Sequence, residues 1–159
     1  MKSLLVLLVL VLLPSAAIAQ DTVTELDAFW AEASRTVAEG DFAGYAATYH
    51  VDAVLVSRAT GNSYPIAGAL AGWKSGFDDT KAGKAIAGVE FRFTQRLHDA
   101  TTAHDTGIFR YWYAPTGGER TDAYVHFEGL LVKKDGAWKL VMEYQKQPGT
   151  AEEWAAAGR

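Results

Sequence analysis

The spacing of apolar residues changes character along this chain, and each change marks a different kind of element. Leu26, Phe29, Trp30, Ala33 and Val37 fall three or four residues apart or side by side, which makes one stripe on a helix, with Asp27, Glu32 and Arg35 off it. Thr22 with Glu25 reads as a capping box in front of that stripe, Gly40 as the end of the helix, and Asp41 as the cap of the next. The second helix is short, with Phe42, Tyr45, Ala46 and Tyr49 on one side. After His50 the period becomes that of strands: 53–58, a turn at Thr60-Gly61-Asn62, then 63–66. A third helix over 68–79 carries Leu70, Trp73 and Phe77 and is weakened by Gly72 and Gly76, and 81–88 reads as a loop. Four long strands follow, 89–98, 103–114, 121–133 and 137–146, the last two joined by the hairpin signal Asp135-Gly136. After Pro148, Thr150 with Glu153 is another capping box, so the tail holds a turn or two of helix. Helices first and a meander afterwards make the chain α+β.

Residues 1–19 predict an export signal. Lys2 supplies the positive start, 4–13 are unbroken Leu and Val, Pro14-Ser15 break the run, and Ala17-Ile18-Ala19 offers a small-x-small cleavage site. The ten apolar residues fall well short of the roughly 20 that span a bilayer. The expected mature protein therefore starts at Gln20, is periplasmic or secreted, and has no membrane partner after cleavage. It consists of one domain over 20–147 and a tail over 148–159. Lys+Arg 15 against Asp+Glu 19 gives no electrostatic case for a nucleic-acid partner. With no cysteine there is no disulfide, zinc–thiolate site or catalytic thiol.

The stretches Gly40-Asp41-Phe42, Tyr49-His50-Val51-Asp52-Ala53 and Asp135-Gly136-Ala137-Trp138-Lys139-Leu140-Val141 stand in an order and at distances that resemble the nuclear transport factor 2-like superfamily, in particular its SnoaL-like and ketosteroid-isomerase-like members. The resemblance implies a cone, in which a strongly bent antiparallel or mixed sheet wraps around the N-terminal helices (a cystatin-like α+β roll) and a pocket opens at one end. It also implies homodimers formed through the sheet.

If Asp135-Gly136 is a two-residue turn, Lys134 pairs with Ala137, Leu131 with Leu140, Gly129 with Met142 and Phe127 with Tyr144, on an apolar side. The other side then opposes Glu128 to Glu143 and His126 to Gln145, with Tyr124 next in line. The same count around Gly117-Gly118 adds Phe109 and Tyr111 to that side, opposite His126 and Tyr124. Opposed carboxylates destabilise a ladder unless a cation lies between them or one stays protonated. Alternatively the face is solvated and Arg92 and Arg110 neutralise both. The resemblance favours a pocket: a family oxyanion-binding aspartate, eight residues before the hairpin glycine, falls at Glu128. By that likeness Tyr124, His126, Leu130, Val141, Glu143 and Gln145 line the cone. The family's general base falls at Ser57 and its oxyanion tyrosine at Ala33, so steroid-type isomerisation lacks two of its groups.

His50, His98, His104 and His126 form no metal motif, and neither a G-x-S-x-G elbow nor a glycine-rich phosphate loop occurs. His50 reads as a packing or capping residue, and His98 and His104 as solvated beside a turn. No metal or cofactor is expected. Tyr45, Tyr49, Trp73, Phe109, Tyr111, Tyr124 and Gln145 are the candidate contacts for a small organic molecule, largely apolar with one polar group. The favoured expectation is an exported binding domain. The alternatives are a lyase or isomerase using His126 with Glu128 and Glu143 as acid and base, and a structural or protein-interaction module.

Overall fold

The computed structural model describes residues 15–157; the apolar run over 4–13 lies outside them. In helix α1 (Ser15–Glu39) the whole expected stripe is buried. The helix starts earlier than its capping signal suggests, because Ala16, Ala17 and Ala19 favour helix and nothing breaks it before Gly40. Thr22 is therefore interior and buried, and Glu25 accepts from Lys133 Nζ and, at 2.9 Å, from Trp138 Nε1. Gly40 ends the helix at φ +65, where a Cβ would also strike the backbone of Lys81 and Phe77. Asp41 Oδ1 then caps α2 (Phe42–Ala47) by accepting from the amide of Gly44 at 2.9 Å.

Tyr49 opens strand β1 (Tyr49–Ser57) instead of ending α2. There follow β2 (Asn62–Pro65), α3 (Ile66–Lys81), β3 (Ala85–His98), β4 (Thr102–Pro115), β5 (Thr121–Lys134), β6 (Ala137–Pro148) and α4 (Ala151–Ala156). Strand β3 begins inside the stretch that reads as a loop, because Ala85, Ala87 and Val89 alternate into the core. Thr150 and Glu153 cap α4 reciprocally, as expected. The sheet order is β2-β1-β6-β5-β4-β3, antiparallel except where β1 runs parallel to β6. Helices α1 and α3 pack on its inner face in the expected α+β roll. Trp30 occupies the centre, with Phe91 at 4.5 Å and Phe127 at 5.5 Å between ring centroids. Its indole N–H donates to fully buried Asp105 at 2.7 Å, and Arg96 holds Asp105 from the other side.

The Asp135-Gly136 turn has two residues, both at positive φ, and the ladder runs as expected from Lys134↔Ala137 to Leu131↔Leu140. A β-bulge then intervenes. Leu130 pairs with Met142, Gly129 with Glu143 and Glu128 with Tyr144, leaving Val141 as the extra residue. The parallel pairing of β6 with β1 is irregular at the same level, between Leu140 and Met142. One inserted residue exchanges the faces of everything beyond it. Met142 and Tyr144 turn outward, and Glu143 and Gln145 turn inward.

Candidate functional site

A cavity of about 460 Å³ lies between the helices and the inner face of the sheet. Helix α1 contributes Trp30, Ala33 and Val37, and α2 contributes Tyr45. Helix α3 presents Gly72, Trp73, Ser75, Gly76, Phe77 and Thr80, and the strands add Tyr49, Phe91, Phe109, Tyr111, Val125, Phe127, Glu143 and Gln145 among others. Among the described residues, nine of those lining the cavity are aromatic and Glu143 is the sole charged one.

Glu143 is 8% exposed, and each of its oxygens accepts a hydrogen bond. The Tyr49 hydroxyl donates to Oε2 at 2.5 Å, and the Gln145 side-chain amide donates to Oε1 at 2.7 Å. Tyr45 Oη lies 3.2 Å from Tyr49 Oη; with the Tyr49 proton committed to Glu143, Tyr45 is the donor in that contact. Burial pushes the Glu143 carboxyl above its ordinary pKa, and the two donors hold it back only partly. Burial first, and the Glu143 charge second, push the Tyr45 and Tyr49 hydroxyls far up, so both remain protonated donors.

The expected carboxylate pair does not form. Glu128 lies on the outer face, where Lys146 Nζ donates to Oε1 at 2.7 Å and His104 Nε2 lies 3.3 Å from Oε2. Its pKa is lowered, chiefly by the Lys146 hydrogen bond. Arg92 and Arg110 are occupied elsewhere: Arg92 stacks on Trp154 at 4.4 Å, and Arg110 Nε donates to Asp122 at 2.7 Å. His104, expected in solvent, is half-buried beside Glu128. Leu130, exposed on the outer face, and Val141, the bulge residue, do not line the cavity, and His126 and Tyr124 also leave the pocket. They face α4, with His126 3.3 Å from Glu153 and the Tyr124 ring 6.2 Å from that of Trp154. Across β4 and β5, Phe109 pairs with Val125 and Tyr111 with Ala123, one residue from the expected partners His126 and Tyr124. The acid–base set of His126, Glu128 and Glu143 is therefore split between two faces of the sheet.

Tyr45, Tyr49, Trp73, Phe109, Tyr111, Glu143 and Gln145 do meet around the cavity. Further lining residues come from α1, α3, β3 and β5, among them Val37, Gly72, Gly76, Val89 and Val125. Val125 follows from the true register, whereas Gly72 and Gly76, four apart, already marked one face of the third helix.

No protein-family model matches the sequence, and no curated protein does. Solved structures do match in fold. An NTF-2 like protein of unknown function from Shewanella oneidensis superposes with a TM-score of 0.59 at 15% identity, over 79% of this chain and 99% of its own. A cystatin-like-fold protein of unknown function from Nostoc punctiforme gives 0.53 at 13%, over 84% and 94%. The association domain of C. elegans CaMKII gives 0.55 at 15%, over 84% and 98%. The protein thus has the NTF2-like, cystatin-like fold that its motifs resemble.

Proposed function

We propose that the protein is an exported binding domain for a small, largely apolar organic molecule carrying one polar group. Tyr45, Tyr49, Trp73, Phe109, Tyr111, Glu143 and Gln145 are its contacts. The observation that carries this reading is the combination of a cavity of about 460 Å³ with an aromatic wall and a single hydrogen-bonded carboxylate. That volume lies in the roughly 300–1,000 Å³ range of small-molecule sites, and apolar walls with few polar anchors are their usual chemistry. Export is supported by Lys2, the apolar run over 4–13 and Ala17-Ile18-Ala19. Among the described residues no helix is long and apolar enough to cross a membrane. Assembly as a homodimer through the sheet is supported by the outer face, where Leu130 is 38% exposed and Met142 and Tyr144 are partly so.

Native mass spectrometry of the protein purified from the cell envelope or medium tests the reading. The expected result is an N-terminus at Gln20 and a co-purifying small organic species that Tyr111→Ala fails to retain. A species retained equally by Tyr111→Ala and by the unsubstituted protein overturns the site assignment, and an uncleaved N-terminus overturns export.

A further inference from the structure

We propose that the cavity takes a monovalent organic cation, an alkyl- or aryl-ammonium whose charge sits against Glu143 and whose substituents pack among the surrounding rings. This rests on the reading that the cavity binds a small molecule, and it names that molecule's chemical class. The argument starts from charge balance. Elsewhere on the sheet the carboxylates removed from water have cationic partners: Asp105 has Arg96, and Glu128 has Lys146. Glu143 is the exception. Among the described residues no Lys, Arg or His forms an ion pair with it, and none lines the cavity beside it.

A buried carboxylate without a counter-charge costs several kcal/mol as an order of magnitude. The two donors offset part of that. They also suit the ionised form, since Tyr49 and Gln145 each donate a hydrogen bond to a different oxygen. The space in front of Glu143 is where a positive charge is missing. The cavity that holds Glu143 is lined by Trp30, Tyr45, Tyr49, Trp73, Phe109 and Tyr111, aromatic side chains of the kind that attract cations. An anionic ligand meets no cation there. A metal ion is a poor match, because among the described residues no group of three potential ligands gathers anywhere. The volume of about 460 Å³ calls for organic substituents around the charge.

The test is titration of the full chain, by calorimetry and by tryptophan fluorescence from Trp30 and Trp73, with phenyltrimethylammonium and with its neutral isostere tert-butylbenzene. The expected result is at least tenfold tighter binding of the cation. Glu143→Gln is expected to lose at least tenfold for the cation and to keep its affinity for tert-butylbenzene, which also reports that the variant is folded. Glu128→Gln, on the other face, is expected to change neither. Equal or tighter binding of tert-butylbenzene by the unsubstituted protein overturns the cation assignment and leaves the small-molecule reading standing. Failure of both probes to bind overturns both, and this comparison needs no variant to fold.

Discussion

The Tyr49 hydroxyl donates to Glu143 Oε2 at 2.5 Å across 94 residues of sequence, tying the start of β1 to the middle of β6 inside the cavity. The bond holds a carboxylate whose pKa burial has raised, and the sign of its effect on stability follows. A group with a raised folded-state pKa contributes stability that is fully present below its unfolded value, near 4.5, and is lost as the pH rises through its folded value. Glu143→Gln has no such loss. Thermal melts of the two proteins from pH 4 to 8 are expected to diverge in favour of Glu143→Gln as the pH rises. Tyr49→Phe removes the donor without relieving the charge, and is expected to cost about 1–3 kcal/mol near neutral pH in urea melts.

Because the bulge sends Glu128 and Glu143 to opposite faces, they titrate independently. Glu128 has a lowered pKa, so its contribution is present above the ordinary glutamate value and is lost as the pH falls through the folded one. Carbon-detected NMR of the side-chain carboxyls is expected to show one-step curves, with Glu143 titrating the same in Glu128→Gln. A displaced Glu143 curve in that variant would restore the carboxylate pair.

Much of the fold was legible because it rests on local rules. The stripe from Leu26 to Val37, the Asp41 and Thr150 caps and the Asp135-Gly136 turn each follow from side-chain chemistry within a few residues. The site depended on register, which one residue decides. The two-residue turn sets the ladder as far as Leu131↔Leu140, yet Val141 bulges where β6 meets β1 from its other side, a contact far away in sequence. Glu143 and Gln145 therefore line the cavity, while their expected neighbours His126 and Glu128 lie on the other face of the sheet. Tyr45 and Trp73 line the cavity from helices whose faces the sequence period sets, whereas Tyr49 reaches it from the start of β1.

Asp105 braces the aromatic core between the Trp30 indole and the Arg96 guanidinium. Asp105→Ala leaves a buried N–H unpaired and a half-buried arginine with the exposed carboxylate of Asp27 and the Phe93 ring as its remaining partners. Breaking a buried ion pair by removing one member costs about 3–5 kcal/mol. Asp105→Asn keeps an acceptor for the indole and is expected to cost clearly less. Urea midpoints measured at one pH order the two variants, and equal midpoints would deny the indole bond its role.

Gly76 lies on the α3 face that lines the cavity, and a Cβ built there would meet nothing nearer than Tyr111 Oη at 4.0 Å. Glycine within a helix costs about 1 kcal/mol relative to alanine, so Gly76→Ala is expected to raise the melting temperature. One methyl group leaves the cavity open, so binding of phenyltrimethylammonium is expected to be unchanged. Gly76→Leu keeps the propensity gain but extends into the space between α3 and Tyr111. It is therefore expected to remain folded and to bind the same probe at least tenfold more weakly in fluorescence titrations. If Gly76→Leu binds as tightly as Gly76→Ala, the probe does not occupy the space between α3 and β4. The contacts assigned to Trp73 and Tyr111 would then fall, while the Glu143 end of the cavity could still hold it.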